Sequence, residues 1–197
     1  MFNTAWRCSD GWIEAKSSRR MLTAQDAWTN MIRLTVAGFG AAVGGADAVV
    51  LGTFSDALGL PGALARRQSR NAQLVLQEEA NIGKVADPAA GSGYLETLTD
   101  QIARAAWDRL QAIEAAGGLV AALESGLIAR DVDAASTARG ELKILGVTAF
   151  PPTDAAPVEV EPAGTSVTLP EARVPGPDSK CPPLKPMRLS EKHEVAA

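Results

Sequence analysis

Apolar positions recur at helical spacing through the first three quarters of the chain, separated by short compact apolar runs. Trp12-Ile13-Glu14-Ala15 reads as a short extended segment. Thr23 reads as the cap of a helix, with Asp26 three residues on as a variant capping box. Trp28, Met31, Ile32, Thr35, Val36, Phe39 and Val43 follow at helical spacing and predict a core-facing stripe. Gly44-Gly45 stops that helix, and the run Ala46 to Leu51 predicts a buried strand. A loop follows from Gly52 to Leu60, and Pro61 suits the first turn of a helix reaching about Ala80. Val85-Ala86 is a third extended candidate, closed by Asp87-Pro88.

Thr99 predicts the cap of a further helix. Its inner stripe is Ile102, Ala106, Leu110 and Ile113, flanked by Trp107, and Gly117-Gly118 ends it. Two more short helices are expected near 119–125 and 131–144. Strand, helix, strand, helix, strand, helix, then helices is a parallel βα order, so the fold class is α/β. Three βα units cannot close an eight-stranded barrel, which leaves at least one sheet edge open.

The pattern changes after Phe150. Ten of the 12 prolines and no aromatic residue lie there. Residues 1–150 therefore read as the folded part, and 151–197 as a mostly extended Pro-rich tail or linker. The alternative for the tail is a segment that wraps over a partner surface through Val158, Val160, Val167 and Leu169.

The chain has 197 residues, 46% of them hydrophobic, and a formal net charge of −4. That is enough to bury a core and argues against a nucleic-acid partner, which needs a broad positive field. No apolar run approaches the roughly 18 residues of a membrane span. The start, MFNTAWRCSDGW, has neither a basic nor an apolar leader region. Cys8 and Cys181 have no CxxC partner, so reduced thiols and a cytoplasmic setting are expected, with a disulfide between them as the lesser alternative. The single histidine, His193, excludes most His-based metal sites and any Ser-His-Asp arrangement.

One ordered stretch carries a family resemblance: Arg67-Gln68-Ser69-Arg70-Asn71, Leu74 to Leu76, Gln77-Glu78-Glu79, Lys84, Asp87-Pro88 and Gly91-Ser92. It resembles the methylmalonyl-CoA mutase signature of Arg-Ile-Ala-Arg-Asn, an apolar stretch, Gln/Glu-Glu, a basic residue, Asp-Pro and Gly-Ser. Gln68 and Ser69 depart from it. The resemblance covers roughly residues 13–146 and implies the last three βα units of a (β/α)8 TIM barrel that binds acyl-CoA. In that family adenosylcobalamin supplies a radical that rearranges the acyl carbon skeleton, interconverting methylmalonyl-CoA and succinyl-CoA.

The resemblance also implies what this chain lacks. Catalytic members carry an acid histidine and a tyrosine wedge in earlier barrel segments, whereas Tyr94, the only tyrosine, sits in the Gly-Ser-Gly-Tyr stretch. The cobalamin domain's Asp-x-His-x-x-Gly motif does not match Glu-Lys-His193-Glu-Val. The loop Leu51-Gly52-Thr53-Phe54-Ser55 has no His where catalytic subunits have His-Thr-Asn. These features resemble the small, non-catalytic subunit of two-subunit mutases. A structural partner of a large catalytic subunit is therefore expected, forming a heterodimer in which the large subunit holds adenosylcobalamin. Two alternatives stay open: one half of a split catalytic barrel, and a non-functional truncated remnant.

Candidate site residues follow. Asn71, Gln73, Glu78 and Glu79 lie on one expected helix, and Asn71, Glu78 and Glu79 are candidates for the cofactor side of the barrel; the alternative is a solvated face. Ser17 and Ser18 stand where catalytic members have Thr-Ser near the acyl-CoA, among Lys16, Arg19 and Arg20; the alternative is a solvated basic loop. Asp87 to Ser92 is either a functional loop or a tight turn. Asp47 is either a paired barrel polar group or the strand's start. No catalytic or metal-ligating residue is expected.

Overall fold

The computed structural model describes residues 12–154, 156–162, 178–182, 184 and 187–194. They form a mixed α/β chain that divides into two compact units. The first unit holds the described residues of 1–91, 143–164 and 187–197; the second holds those of 92–142 and 165–186.

The first unit is built on a parallel βαβ. Strand β1 (Glu14–Lys16) pairs with β2 (Ala48–Val50), in the register Glu14 to Ala48, Ala15 to Val49 and Lys16 to Val50. The crossover between them is helix α1 (Asn30–Val43), since parallel neighbours need a long return connection. Asp47 stands just before β2 and is also a paired polar group: its Oδ2 accepts from Ile13 N at 2.8 Å, and its own N–H donates to Ile13 O at 2.9 Å. Gly44 and Gly45 end α1 as expected, Gly45 at φ +83°.

The other boundaries moved. Thr23 does not cap α1; residues 24–29 are turns, and the helix begins seven residues after Thr23. Thr23 has a stronger claim on it, a buried pairing with Asn30. The stripe expected in the core is mostly outside: Ile32, Val36 and Phe39 are exposed, and the buried positions of α1 are Asn30, Leu34 and Gly38. Only Trp28 and Met31 of the named stripe pack against the core of Leu22, Leu34, Phe54 and Ala65. The Trp28 and Phe54 rings stack with centroids 4.9 Å apart. β2 is half-exposed instead of buried.

Strand β3 (Leu60–Pro61) pairs antiparallel with β4 (Val160–Glu161). Pro61 is therefore in an edge strand, and Gly62 caps helix α2 (Ala63–Leu74). A π turn, Val75–Glu79, continues α2. The third expected strand does not form: Asn81, Gly83 and Asp87 all have positive φ, which breaks an extended path through Val85-Ala86. Asp87-Pro88 is a turn, closed by Ala90 N–H donating to Asp87 O at 3.1 Å.

The described tail is not free. Trp28 Nε1 donates to Ala156 O at 2.8 Å, Val158 packs on the core, and Arg66 pairs with Glu161 at 2.7 Å. Helix α6 (Glu191–Glu194) also belongs to this unit. Val167 and Leu169, like Cys8, lie outside the described residues.

The second unit is helical: α3 (Gly93–Ala115), α4 (Gly118–Glu124) and α5 (Leu127–Ala138). Gly117 ends α3, at φ +98°. The helix starts at Gly93, so Thr99 lies within it and caps nothing. Its expected inner stripe is not inner: α3 buries no residue, and Ile102, Trp107 and Leu110 are exposed. α5 starts four residues earlier than expected and ends six earlier. Cys181 is a free thiol. No helix of the described residues is long and apolar enough to cross a membrane.

Candidate functional site

Loops at the C-terminal ends of parallel strands carry function in α/β folds, and here two such loops meet. Ser17 follows β1, and its Oγ accepts from Gly52 N–H, just after β2, at 2.7 Å. A Cβ at Gly52 would lie 2.6 Å from Asp56 Oδ2 and 3.3 Å from Ser17 Oγ, so a side chain there would displace the Asp56 carboxylate. Ser18 turns away from this contact and caps the 3-10 turn Arg19–Met21, accepting from Arg20 N–H at 3.2 Å. Arg19 Nη2 donates to Asp56 O at 2.6 Å, tying the two loops together.

The loop after β2 is locally self-bound. Asp56 accepts from Thr53 N–H at 3.1 Å through Oδ2 and from the Thr53 hydroxyl through Oδ1. This is the turn chemistry of a Thr-x-x-Asp run. Ser69 on α2 fixes the entry to the loop by donating to Leu51 O at 3.1 Å. Ser69 thus departs from the family signature and gains a hydrogen bond to the strand's end.

Beneath the loops lies a buried polar knot. Asn30 Nδ2 donates to Thr23 O at 2.8 Å and to Phe54 O at 2.9 Å, while its Oδ1 accepts from Thr23 N–H at 3.0 Å. Thr23 and Asn30 are fully buried. Arg33 closes the knot, donating to Asn30 Oδ1 at 2.8 Å and to Leu145 O at 2.6 Å. Burial pulls the Arg33 guanidinium below its ordinary pKa, against the opposing charges of Asp26 and Glu194. One helix residue therefore satisfies both connecting loops at once.

These contacts fix the two loops against one another. The hydroxyls of Ser17, Thr53 and Ser55 have no imidazole beside them, as His193 is an exposed residue of α6. No group of three His, Cys, Asp or Glu residues is placed to hold a metal among the described residues.

The structure separates the sequence candidates. Ser17 lies in the loop junction and Ser18 at its rim. Asn71 is half-buried on α2, whereas Glu78 and Glu79 are exposed on the π turn. Gln73 Nε2 donates back to Ser69 O at 3.4 Å. Sequence reasoning missed the Thr23, Asn30, Arg33 and Asp56 framework. The Thr53-Phe-Ser-Asp56 turn directly after an apolar run was the signal available for part of it.

The family model described as methylmalonyl-CoA mutase matches residues 10–169. The methylmalonyl-CoA mutase small subunit of Streptomyces virginiae is 49% identical over 155 residues, 76% of this chain and 25% of that protein. The probable methylmalonyl-CoA mutase small subunit of Mycobacterium tuberculosis (strain ATCC 25618 / H37Rv) is 47% identical over 148 residues, 71% of this chain and 24% of its own length. Methylmalonyl-CoA mutase of Escherichia coli (strain K12) is 39% identical over 135 residues, 66% and 19% of the two chains. The chain spans about a quarter of the length of the small subunits it matches.

Proposed function

This chain belongs to the methylmalonyl-CoA mutase family, and on that premise we propose that it acts as a small-subunit-like structural partner of a large catalytic mutase subunit. The assembly is an adenosylcobalamin-dependent isomerase of methylmalonyl-CoA and succinyl-CoA. In this reading β1, α1, β2 and α2 are successive pieces of a (β/α)8 wall whose other units come from outside the described residues.

One observation carries the proposal: the apolar face Ile32, Val36 and Phe39 of α1 is exposed beside a parallel sheet that has two strands among the described residues. A contiguous exposed apolar face of this kind marks an interaction surface. Fully burying a side chain of this size is worth roughly 1.5–3 kcal/mol.

Ser17 and Ser18, with Lys16, Arg19 and Arg20, then belong to the acyl-CoA side, and Asn71, Glu78 and Glu79 to the cofactor side. These residues do not fit a corrinoid site by themselves. They are amide and carboxylate groups, two of them fully outside, and the one imidazole lies on α6. The partner subunit holds the cofactor, and no chemical step is assigned to this chain.

The test is turnover of methylmalonyl-CoA with saturating adenosylcobalamin. The chain alone gives none, and its addition to the large subunit stabilises that subunit's activity. Turnover by the chain alone overturns the structural role. The second reading is one half of a split catalytic barrel. It requires turnover to arise only when a chain carrying the missing βα units is supplied.

A further inference from the structure

The segment 187–194 lies beyond residues 10–169 that match the family, yet it is bound at many points to the loop between β1 and α1. Leu189 N–H donates to Arg20 O at 2.8 Å. Ser190, 1% exposed, donates through Oγ to Leu22 O at 3.3 Å. The Glu194 carboxylate accepts from two successive backbone N–H groups, Ala24 at 2.7 Å and Gln25 at 3.4 Å. Arg188 pairs with the same carboxylate, and its own N–H donates to Glu191 Oε2 at 3.0 Å. Ser190 O receives His193 N–H at 2.8 Å and Glu194 N–H at 3.1 Å, so one short turn of helix presents Glu194 to the loop.

The two sides of that loop are gripped differently. From inside, Asn30 and Arg33 hold Thr23. From outside, the segment 187–194 holds residues 20, 22, 24 and 25. A carboxylate seated on consecutive N–H groups is a strong, directional contact. A segment held this way is built to dock.

We propose that residues 187–194 are an intramolecular clasp that closes on Arg20–Gln25 and fixes the loop leaving β1, and that its release frees that loop while the rest of the first unit stays folded. The inference is independent of the partner proposed above, because every contact lies within this chain.

Hydrogen exchange read by mass spectrometry tests it on the full chain, on a chain ending at Pro186 and on full-length Glu194→Gln. In the unaltered chain the amides of Ala24 and Gln25 are protected. Removing 187–197 speeds their exchange by about tenfold or more, with α2 amides unchanged. Glu194→Gln, which keeps every backbone contact, speeds them by a smaller factor. A peptide of residues 187–197 added to the shortened chain restores protection, and the same peptide carrying Ser190→Asp does not. Fast exchange at these amides in the unaltered chain, or no change in either variant, overturns the clasp.

Discussion

In the first unit, Leu22, Leu34, Phe54 and Ala65 are enclosed by α1, α2 and the loop after β2, and a polar knot of Thr23, Asn30 and Arg33 closes over them. In the second unit, α3 runs 23 residues without burying one of them, and Ala122 is its one buried apolar side chain among the described residues. Both units carry apolar residues at helical spacing. Only the first brings some of them together with saturated polar groups. The difference teaches that periodicity marks a face and says nothing of what covers it. The first unit brings part of its own cover; the second leaves Ile102, Trp107, Leu110, Val120 and Val132 outside.

The comparison breaks most sharply at Phe54. Phe54→Ala removes a ring 2% exposed and stacked on Trp28. It should cost about 3–5 kcal/mol in chemical denaturation. The transition of the first unit is expected to collapse, with the helical signal of α3 persisting; equal loss of both would show that the units do not differ.

Asn30→Ala comes next. It strands Thr23 N–H, Thr23 O and Phe54 O inside the unit. A loss of about 2–3 kcal/mol in urea melts is expected. A neutral outcome would mean that water enters the knot freely.

Acid should act on the first unit through Glu194. Burial alone raises its pKa, but the hydrogen bonds from Ala24 N–H, Arg188, Ser190 and Gln25 N–H outweigh burial and hold the carboxyl below its usual range. A carboxylate whose pKa is lowered on folding stabilises above its unfolded pKa, and that contribution fades as pH falls through the folded value. The unaltered chain should therefore lose stability as the pH falls through and below the ordinary glutamate range, and Glu194→Gln should lack that part of the pH profile. Parallel profiles for the two would remove Glu194 from the account.

The smallest effect is expected in the second unit. Trp107→Ser touches an exposed side chain and should change melting by no more than about 0.5 kcal/mol. A large loss would show that α3 buries Trp107 in solution.

Much of the local punctuation was legible in the sequence. Gly44-Gly45 and Gly117 end their helices, α4 falls where expected, and the Asp87-Pro88 turn forms. The inner face of α1 was not legible. Its buried positions are Asn30, Leu34 and Gly38, and a hydrophobic count passes over the first and the last. A Cβ at Gly38 would come within 3.1 Å of Leu51 Cδ1, so the position packs closely without a side chain. The third strand failed because a two-residue apolar run cannot override three positive-φ residues around it. The clasp was invisible because Glu194 and Ala24 are 170 residues apart and neither stands in an apolar pattern. Of the candidate site residues, Ser17 reached the loop junction, whereas Glu78 and Glu79 lie in the open. That outcome depended on which strand end each one follows, information that spacing along a single helix does not hold.

The proposed role requires the exposed α1 face to dock on a large mutase subunit. Size-exclusion chromatography with light scattering, on the chain alone and mixed with the large subunit from the same organism, tests it most directly. The account predicts a stable one-to-one complex that Val36→Asp with Phe39→Asp abolishes without lowering the chain's helical content. A well-behaved monomer that ignores the large subunit would contradict it.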